Sequence, residues 1–116
     1  MRRGEVRLVD LDPVRGSEAS KRRPAIIVSN DRANGAAARL GRGVVTVVPI
    51  TSNVARVLPF QVLLPARAAG MRVDSKAQAE QVRSVSVERI GAPTLGRLTM
   101  PAMSAVDDAL RLHLDL

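Results

Sequence analysis

The sequence predicts a mainly β fold with a carboxy-terminal helix. Three features carry that reading: short apolar segments with strand periodicity, Gly/Pro/Asn-rich breaks between them, and a switch to helical spacing near the end. Glu5 to Asp12 alternates roughly, with Val6, Leu8, Val9 and Leu11 apolar, until Pro13 and Gly16 break the pattern. Pro24 to Ser29 is a β-branched run opened by a proline, whose missing N–H does no harm at the start of a strand. Gly43 to Ile50 is apolar at nearly every position, as expected of a strand covered on both faces. Phe60 to Leu64 and Ser75 to Ser84 read as two further strands, and alternation along the second puts Ala77, Ala79, Gln81 and Arg83 on one face. Thr99 then caps a helix in which Met103, Val106, Leu110 and Leu114 recur at helical spacing, with Asp107, Asp108 and Arg111 on other faces. Strands this short imply a small closed or nearly closed barrel with the helix lying against it, in one domain over residues 1–116.

Composition narrows the function. Cysteine is absent, which excludes a disulfide scaffold, a thiolate metal site and a cysteine nucleophile. Met1-Arg2-Arg3-Gly4-Glu5 is charged but has no apolar segment after it, and the longest apolar run, Val44 to Ile50, is far too short to span a bilayer. A cytoplasmic protein with no membrane partner is expected. The net charge is +7, and of 18 basic residues only Lys21 and Lys76 are lysine. Arginine forks onto phosphate oxygens, so the excess favours a polyanionic partner.

The catalytic inventory is short. The one histidine, His113, stands near the end of the terminal helix, where a surface or dipole-capping role is expected, and a two-histidine nuclease is excluded. Asp10 with Asp12 and Asp107 with Asp108 are near neighbours that match no metal-ligand spacing, so neither a metal nor another cofactor is expected. Phe60 is the only aromatic residue, which rules out rows of stacking rings within one chain. What remains is arginine, threonine and a loop carboxylate. In Lys21-Arg22-Arg23-Pro24 the proline holds Arg23 to extended backbone angles, making it a fixed charge where a strand begins. Thr51, in Val48-Pro49-Ile50-Thr51-Ser52, offers a hydroxyl at the mouth of the long central strand. RNA cleaves itself when its 2′-hydroxyl attacks the adjacent phosphate, and an enzyme need only orient that attack, stabilise the phosphorane and help protons move.

Taken in order, several segments resemble the signature of the MazF/PemK family of type II toxins, the mRNA interferases. They are Arg3-Gly4-Glu5, Val9-Asp10-Leu11-Asp12-Pro13, Gly16-Ser17-Glu18, Arg22-Arg23-Pro24, Val28-Ser29-Asn30-Asp31, Pro49-Ile50-Thr51-Ser52, Pro59-Phe60 and Glu80-Gln81-Val82-Arg83. The resemblance implies an SH3-like small β-barrel with a carboxy-terminal helix, a two-fold homodimer, and sequence-specific cleavage of single-stranded RNA to 2′,3′-cyclic phosphate and 5′-hydroxyl ends. It implies a dedicated antitoxin of the MazE kind, expected to present a flexible acidic segment. It maps the catalytic arginine to Arg23, the catalytic threonine to Thr51 and the loop glutamate to Glu18, which is either a general base or a partner orienting Arg23. Arg7, Arg15, Ser17, Lys21, Arg22, Gln81 and Arg83 are the expected RNA contacts, with Gln81 reading base edges.

The chain departs from the family pattern at Arg7, where an aromatic residue is common, and at Ala19, where a glutamine is common. Lys76 and Gln78 are polar where the family is apolar. Two other classes share this architecture, a CcdB-like gyrase-binding toxin and a noncatalytic SH3-like RNA-binding module. The Arg-Pro and Ile-Thr-Ser segments favour the nuclease over both.

Overall fold

The computed structural model describes residues 1–12, 15–19 and 21–116; Pro13, read above as ending the first strand, lies outside them. Seven strands, β1 (Glu5–Asp10), β2 (Arg22–Ile27), β3 (Val44–Thr51), β4 (Gln61–Leu64), β5 (Ser75–Gln78), β6 (Arg83–Ser86) and β7 (Ile90–Arg97), form one antiparallel sheet. Three helices accompany them: α1 (Asp31–Leu40), the single turn α2 (Ala66–Ala69) and α3 (Met100–Leu114).

Alternation along the central strands sends side chains into two cores on opposite faces of the sheet. Val6, Ile26, Val48, Ile50 and Leu64 pack on one face with Ala102 and Val106 of α3. Val9, Ala25, Ile27, Val45 and Val47 pack on the other with Ala37 of α1 and Val85 of β6. The burial of β3 on both faces matches its near-continuous apolar sequence. The terminal helix also forms as read: the Thr99 side chain accepts from the Ala102 N–H, while Met103, Val106 and Leu110 face the core. Leu114 differs, lying half exposed in the last turn, past the edge of the sheet.

One expectation is corrected. The segment 75–84 is not one strand, because Ala79–Gln81 form a 3₁₀ turn. The turn divides the partners of β3: its second half pairs with β5 (Ile50 with Ala77, Thr51 with Lys76), and its first half with β6 (Val44 with Ser86, Val47 with Arg83). The single face proposed for Ala77, Ala79, Gln81 and Arg83 therefore does not exist. The sheet is not closed. Its pairing runs β4-β5-β3-β2-β1-β7, and among the described residues no ladder joins β4 to β7. The turn α2 packs against both of those edge strands, and the Thr99 N–H donates to the Ala68 carbonyl at 2.9 Å. A helical turn stands where closing ladder bonds would lie.

The helix α1 was not anticipated. Its sequence, Asp31-Arg32-Ala33-Asn34-Gly35-Ala36-Ala37-Ala38-Arg39-Leu40, carries no apolar stripe. Its ends hold it instead: the Asn30 side chain accepts from the Ala33 N–H at 2.8 Å, and Gly41 closes it in the left-handed region (φ +66°). Asn34, fully buried, donates to the Ser29 carbonyl at 2.8 Å and accepts from the Ser29 hydroxyl at 2.5 Å. Arg3 joins the chain ends, its guanidinium donating to Asp107 of α3 at 2.5 Å and to the Val28 carbonyl at 2.8 Å.

Candidate active site

The register of β2 on β3 builds the site. Ala25 faces Pro49, Ile26 faces Val48 and Ile27 faces Val47, and at the end of the sheet beyond these pairs Arg23 and Thr51 line one cleft. Two residues 28 positions apart thereby line the same cleft at one end of the sheet, and Pro24 holds Arg23 extended as the strand starts.

Around the pair lies an open cleft of about 300 Å3. Lys21, Arg22, Arg23 and Pro24 form one side, Ile50, Thr51 and Ser52 a second, and Met71, Val73 and Ser75 the third. Its described lining holds three cations and no carboxylate, so the field within it favours an anion. Thr51 Oγ1 accepts the Asn53 N–H at 3.2 Å, which leaves the hydroxyl hydrogen to donate elsewhere. Opposite Thr51 on β5, Lys76 sends its ammonium to the Arg56 carbonyl at 2.5 Å and ties down the loop after β3. That contact gives a physical reason for a polar residue at 76.

The structure brings Lys21, Arg22, Arg23 and Thr51 together, and it places the other candidates differently. Glu18, Arg15 and Ser17 are exposed on the β1–β2 loop, outside the cleft lining, and Glu18 Oε1 accepts the Arg15 N–H at 2.5 Å. Arg7 is held in a part-buried network, donating to Glu5 Oε1 at 2.8 Å and to the Ala92 carbonyl at 2.8 Å. Arg83 donates to the Leu11 carbonyl at 3.1 Å. Both functional groups of the Gln81 amide are engaged by loop backbone, at Ala19 and Ser17. Sequence reading missed Ser52, Met71, Val73 and Ser75 as cleft residues; Ser52 carried a signal, as the neighbour of Thr51, while the others arrive from distant chain.

Elsewhere, the carboxyl of Glu5 is 4% exposed. Burial acts to raise its pKa, but bonds from Arg7 and Thr94 together with the charge of Arg7 outweigh it, and the net shift is downward. Asp31 also titrates low because its carboxylate accepts the Arg3 backbone N–H at 2.6 Å. His113 sits in the last turn of α3, its ring 6.1 Å from that of Phe60, and is not part of the cleft. Among the described residues, no group of three or more His, Cys, Asp or Glu side chains could hold a metal ion. No helix among them is long and apolar enough to cross a membrane.

Residues 2–114 match the family of PemK-like, MazF-like toxins of type II toxin–antitoxin systems. The chain belongs to this family. Among MazF relatives, endoribonuclease MazF9 from Mycobacterium tuberculosis is 62% identical over 116 residues, spanning all of this chain and 98% of its own length. MazF from Deinococcus radiodurans superimposes with a TM-score of 0.82 at 27% identity, covering 100% of this chain and 97% of that one. An endoribonuclease from a mycobacterial species, solved in complex with its cognate antitoxin, has the same fold (TM-score 0.76, 23% identity, 100% and 96% coverage). The architecture described above is thus the MazF/PemK fold.

Proposed function

We propose that this chain is a metal-independent endoribonuclease, the toxin of a type II toxin–antitoxin pair, cutting single-stranded RNA at specific sequences. The observation that supports this reading is a cleft lined by both Arg23 and Thr51 whose described lining holds three cations and no carboxylate. The 2′-hydroxyl of one nucleotide attacks the adjacent phosphorus, the P–O5′ bond breaks, and the products are a 2′,3′-cyclic phosphate and a 5′-hydroxyl. Arg23 supplies fixed positive charge to the phosphorane oxygens, and the Thr51 hydroxyl donates to one of them. Glu18 takes the 2′-hydroxyl proton or orients Arg23; for the first role its carboxylate must reach into the cleft, where Oε2 can accept the proton while Oε1 keeps the Arg15 N–H. The full-length likeness to an endoribonuclease supports the same conclusion.

The working unit is a cytoplasmic homodimer restrained by a MazE-like antitoxin. At +7 per chain, the basic cleft suits a flexible acidic segment that competes with RNA for the same cations. The test is incubation of purified protein with long RNA in excess EDTA, followed by analysis of fragment ends. Discrete fragments with cyclic phosphate and 5′-hydroxyl ends are expected. Intact RNA, or fragments with 5′-phosphate ends, would overturn the reading.

A further inference from the structure

The loop between β1 and β2, residues 11–21, delivers Lys21, Arg22 and Arg23 to the cleft and carries Glu18. Some of its bonds are its own: the Lys21 N–H donates to Asp12 Oδ1 at 2.9 Å, the Leu11 N–H to the Lys21 carbonyl at 3.0 Å, and Arg15 and Glu18 bond to each other. Gly16 has φ +53°, Lys21 stands in the left-handed region at φ +66°, and residues 15–18 are exposed. The limb at 15–19 takes further bonds from elsewhere in the chain.

Three side chains from the segment 81–89 hold it. Arg89 donates to the carbonyls of Asp10 and Asp12, and Arg83 to that of Leu11, so these two secure the root of the loop where it leaves β1. Of these three, Gln81 is the one that reaches the limb at 17–19. Its Oε1 accepts the Ala19 N–H at 2.8 Å, and its Nε2 donates to the Ser17 carbonyl at 3.0 Å. A carboxamide presents one acceptor and one donor in a plane, as a peptide unit does, and here it pairs with the two peptide groups flanking Glu18. Ala19 is buried against the second core beneath that pairing. The 3₁₀ turn at Ala79–Gln81 matters for the same reason, since it takes Gln81 out of the strand alternation.

We propose that Gln81 is a positioning residue for catalysis: its side-chain amide clamps the Ser17–Ala19 limb and holds Glu18 in its working arrangement, while Lys21 to Arg23 are held by their own bonds to Leu11 and Asp12 and by the ladder with β1. The proposal rests on the nuclease reading above and deepens it, and it replaces the role of Gln81 as a reader of base edges. A base reader must turn its amide edge to the RNA, and here one edge, Oε1 with one Nε2–H, is paired with the protein's own backbone.

Two variants separate these roles. Gln81→Met keeps the length of the side chain and removes both bonds; Gln81→Glu keeps the acceptor for Ala19 and loses the donor to Ser17. Hydrogen–deuterium exchange on the free protein reads the clamp without any RNA. In Gln81→Met, peptides covering 15–21 should exchange about tenfold faster while those of β3 and α3 are unchanged, and Gln81→Glu should fall between. With RNA, kcat should drop at least about tenfold with KM changed less than about threefold, the signature of lost positioning rather than lost binding. Glu18→Gln should cost much less in the Gln81→Met background than alone, because the clamp acts through that residue. Unaltered loop exchange in both variants would overturn the clamp. A raised KM or an altered cleavage sequence with unaltered exchange would return Gln81 to base reading. If the wild-type protein cleaves no RNA, the nuclease reading fails while the exchange experiment still decides whether Gln81 orders the loop.

Discussion

A Cβ built on Gly96 would lie 2.1 Å from the carbonyl oxygen of Ala69. Gly96 lies on β7 opposite Val6, and Ala69 ends the turn α2 that packs between the two edge strands. The obstruction is backbone on both sides, so no rotamer change relieves it. Gly96→Ala should destabilise the fold by about 1–3 kcal/mol, the usual cost of forcing extra volume into packed structure. Urea unfolding monitored by circular dichroism will show it as a lower midpoint. Gly91→Ala, where the added carbon meets the Leu8 carbonyl at 3.1 Å, should cost less. Equal, negligible shifts for the two would mean that α2 can yield.

Acid stability should depend on Glu5. Burial opposes its ionisation, but Arg7 and Thr94 bond to the carboxylate and its folded pKa lies below the 4.5 of a free glutamate. A carboxylate with a lowered folded pKa contributes stability that is complete above 4.5 and is lost as pH falls from there through the folded value. Glu5→Gln removes that slope. The variant should be less stable than wild type at neutral pH, by about 1.5–3 kcal/mol for the loss of charge-assisted bonds to a buried group, and the gap should narrow in acid. Unfolding free energies measured from pH 7 down through this range test the sign. A constant gap would remove Glu5 from the acid transition.

Much of this architecture is legible in the sequence for local reasons. The strand β3 announces itself because Val44 to Ile50 holds five aliphatic residues with only Thr46 and Pro49 between them, and α3 because Thr99 caps a periodic stripe. Arg23 and Thr51 could be singled out because each stands at a strand end with proline nearby. The helix α1 was hidden because its stability lies in caps and in the Asn34–Ser29 bonds rather than in an apolar face. The break after Gln78 was hidden because 75–84 alternates well enough for one strand, and the chain turns there to serve both halves of β3. The role of Gln81 was illegible for a related reason: its partners lie 62 and 64 residues away.

At the cleft, Arg23→Ala should lower cleavage by roughly a hundred- to a thousand-fold, or ~2.7–4 kcal/mol of transition-state stabilisation, as expected for one preorganised charge. Arg23 is only half-buried and fills no part of either core, so circular dichroism and thermal midpoint should stay close to wild type. Thr51→Val preserves shape and removes the hydroxyl, and it should reduce kcat more than RNA affinity. Equal losses in both would mean that Thr51 shapes the cleft without donating to the phosphorane. A near wild-type rate for Arg23→Ala would remove that residue from the mechanism.

Binding of RNA should weaken steeply with salt, because each phosphate neutralised on a single strand releases about 0.7 counterions. The structure sorts the arginines that can contribute. Lys21 and Arg22 are exposed at the cleft, so replacing either with methionine should lower the log–log slope by about 0.7 for an uncleavable 2′-methoxy substrate analogue. Arg7 is different: its side chain is 14% exposed, and its guanidinium is bonded to Glu5 and to the carbonyls of Gly91 and Ala92. Arg83 is likewise engaged with the Leu11 carbonyl. Arg7→Met should therefore leave the slope unchanged and lower stability instead, since it strips a buried carboxylate of its nearest cation. Fluorescence anisotropy across a salt series measures the slope. If Arg7→Met lowered it as much as Arg22→Met does, the Arg7 guanidinium would have to leave Glu5 for the RNA, and the network at β1 and β7 would be part of the binding surface.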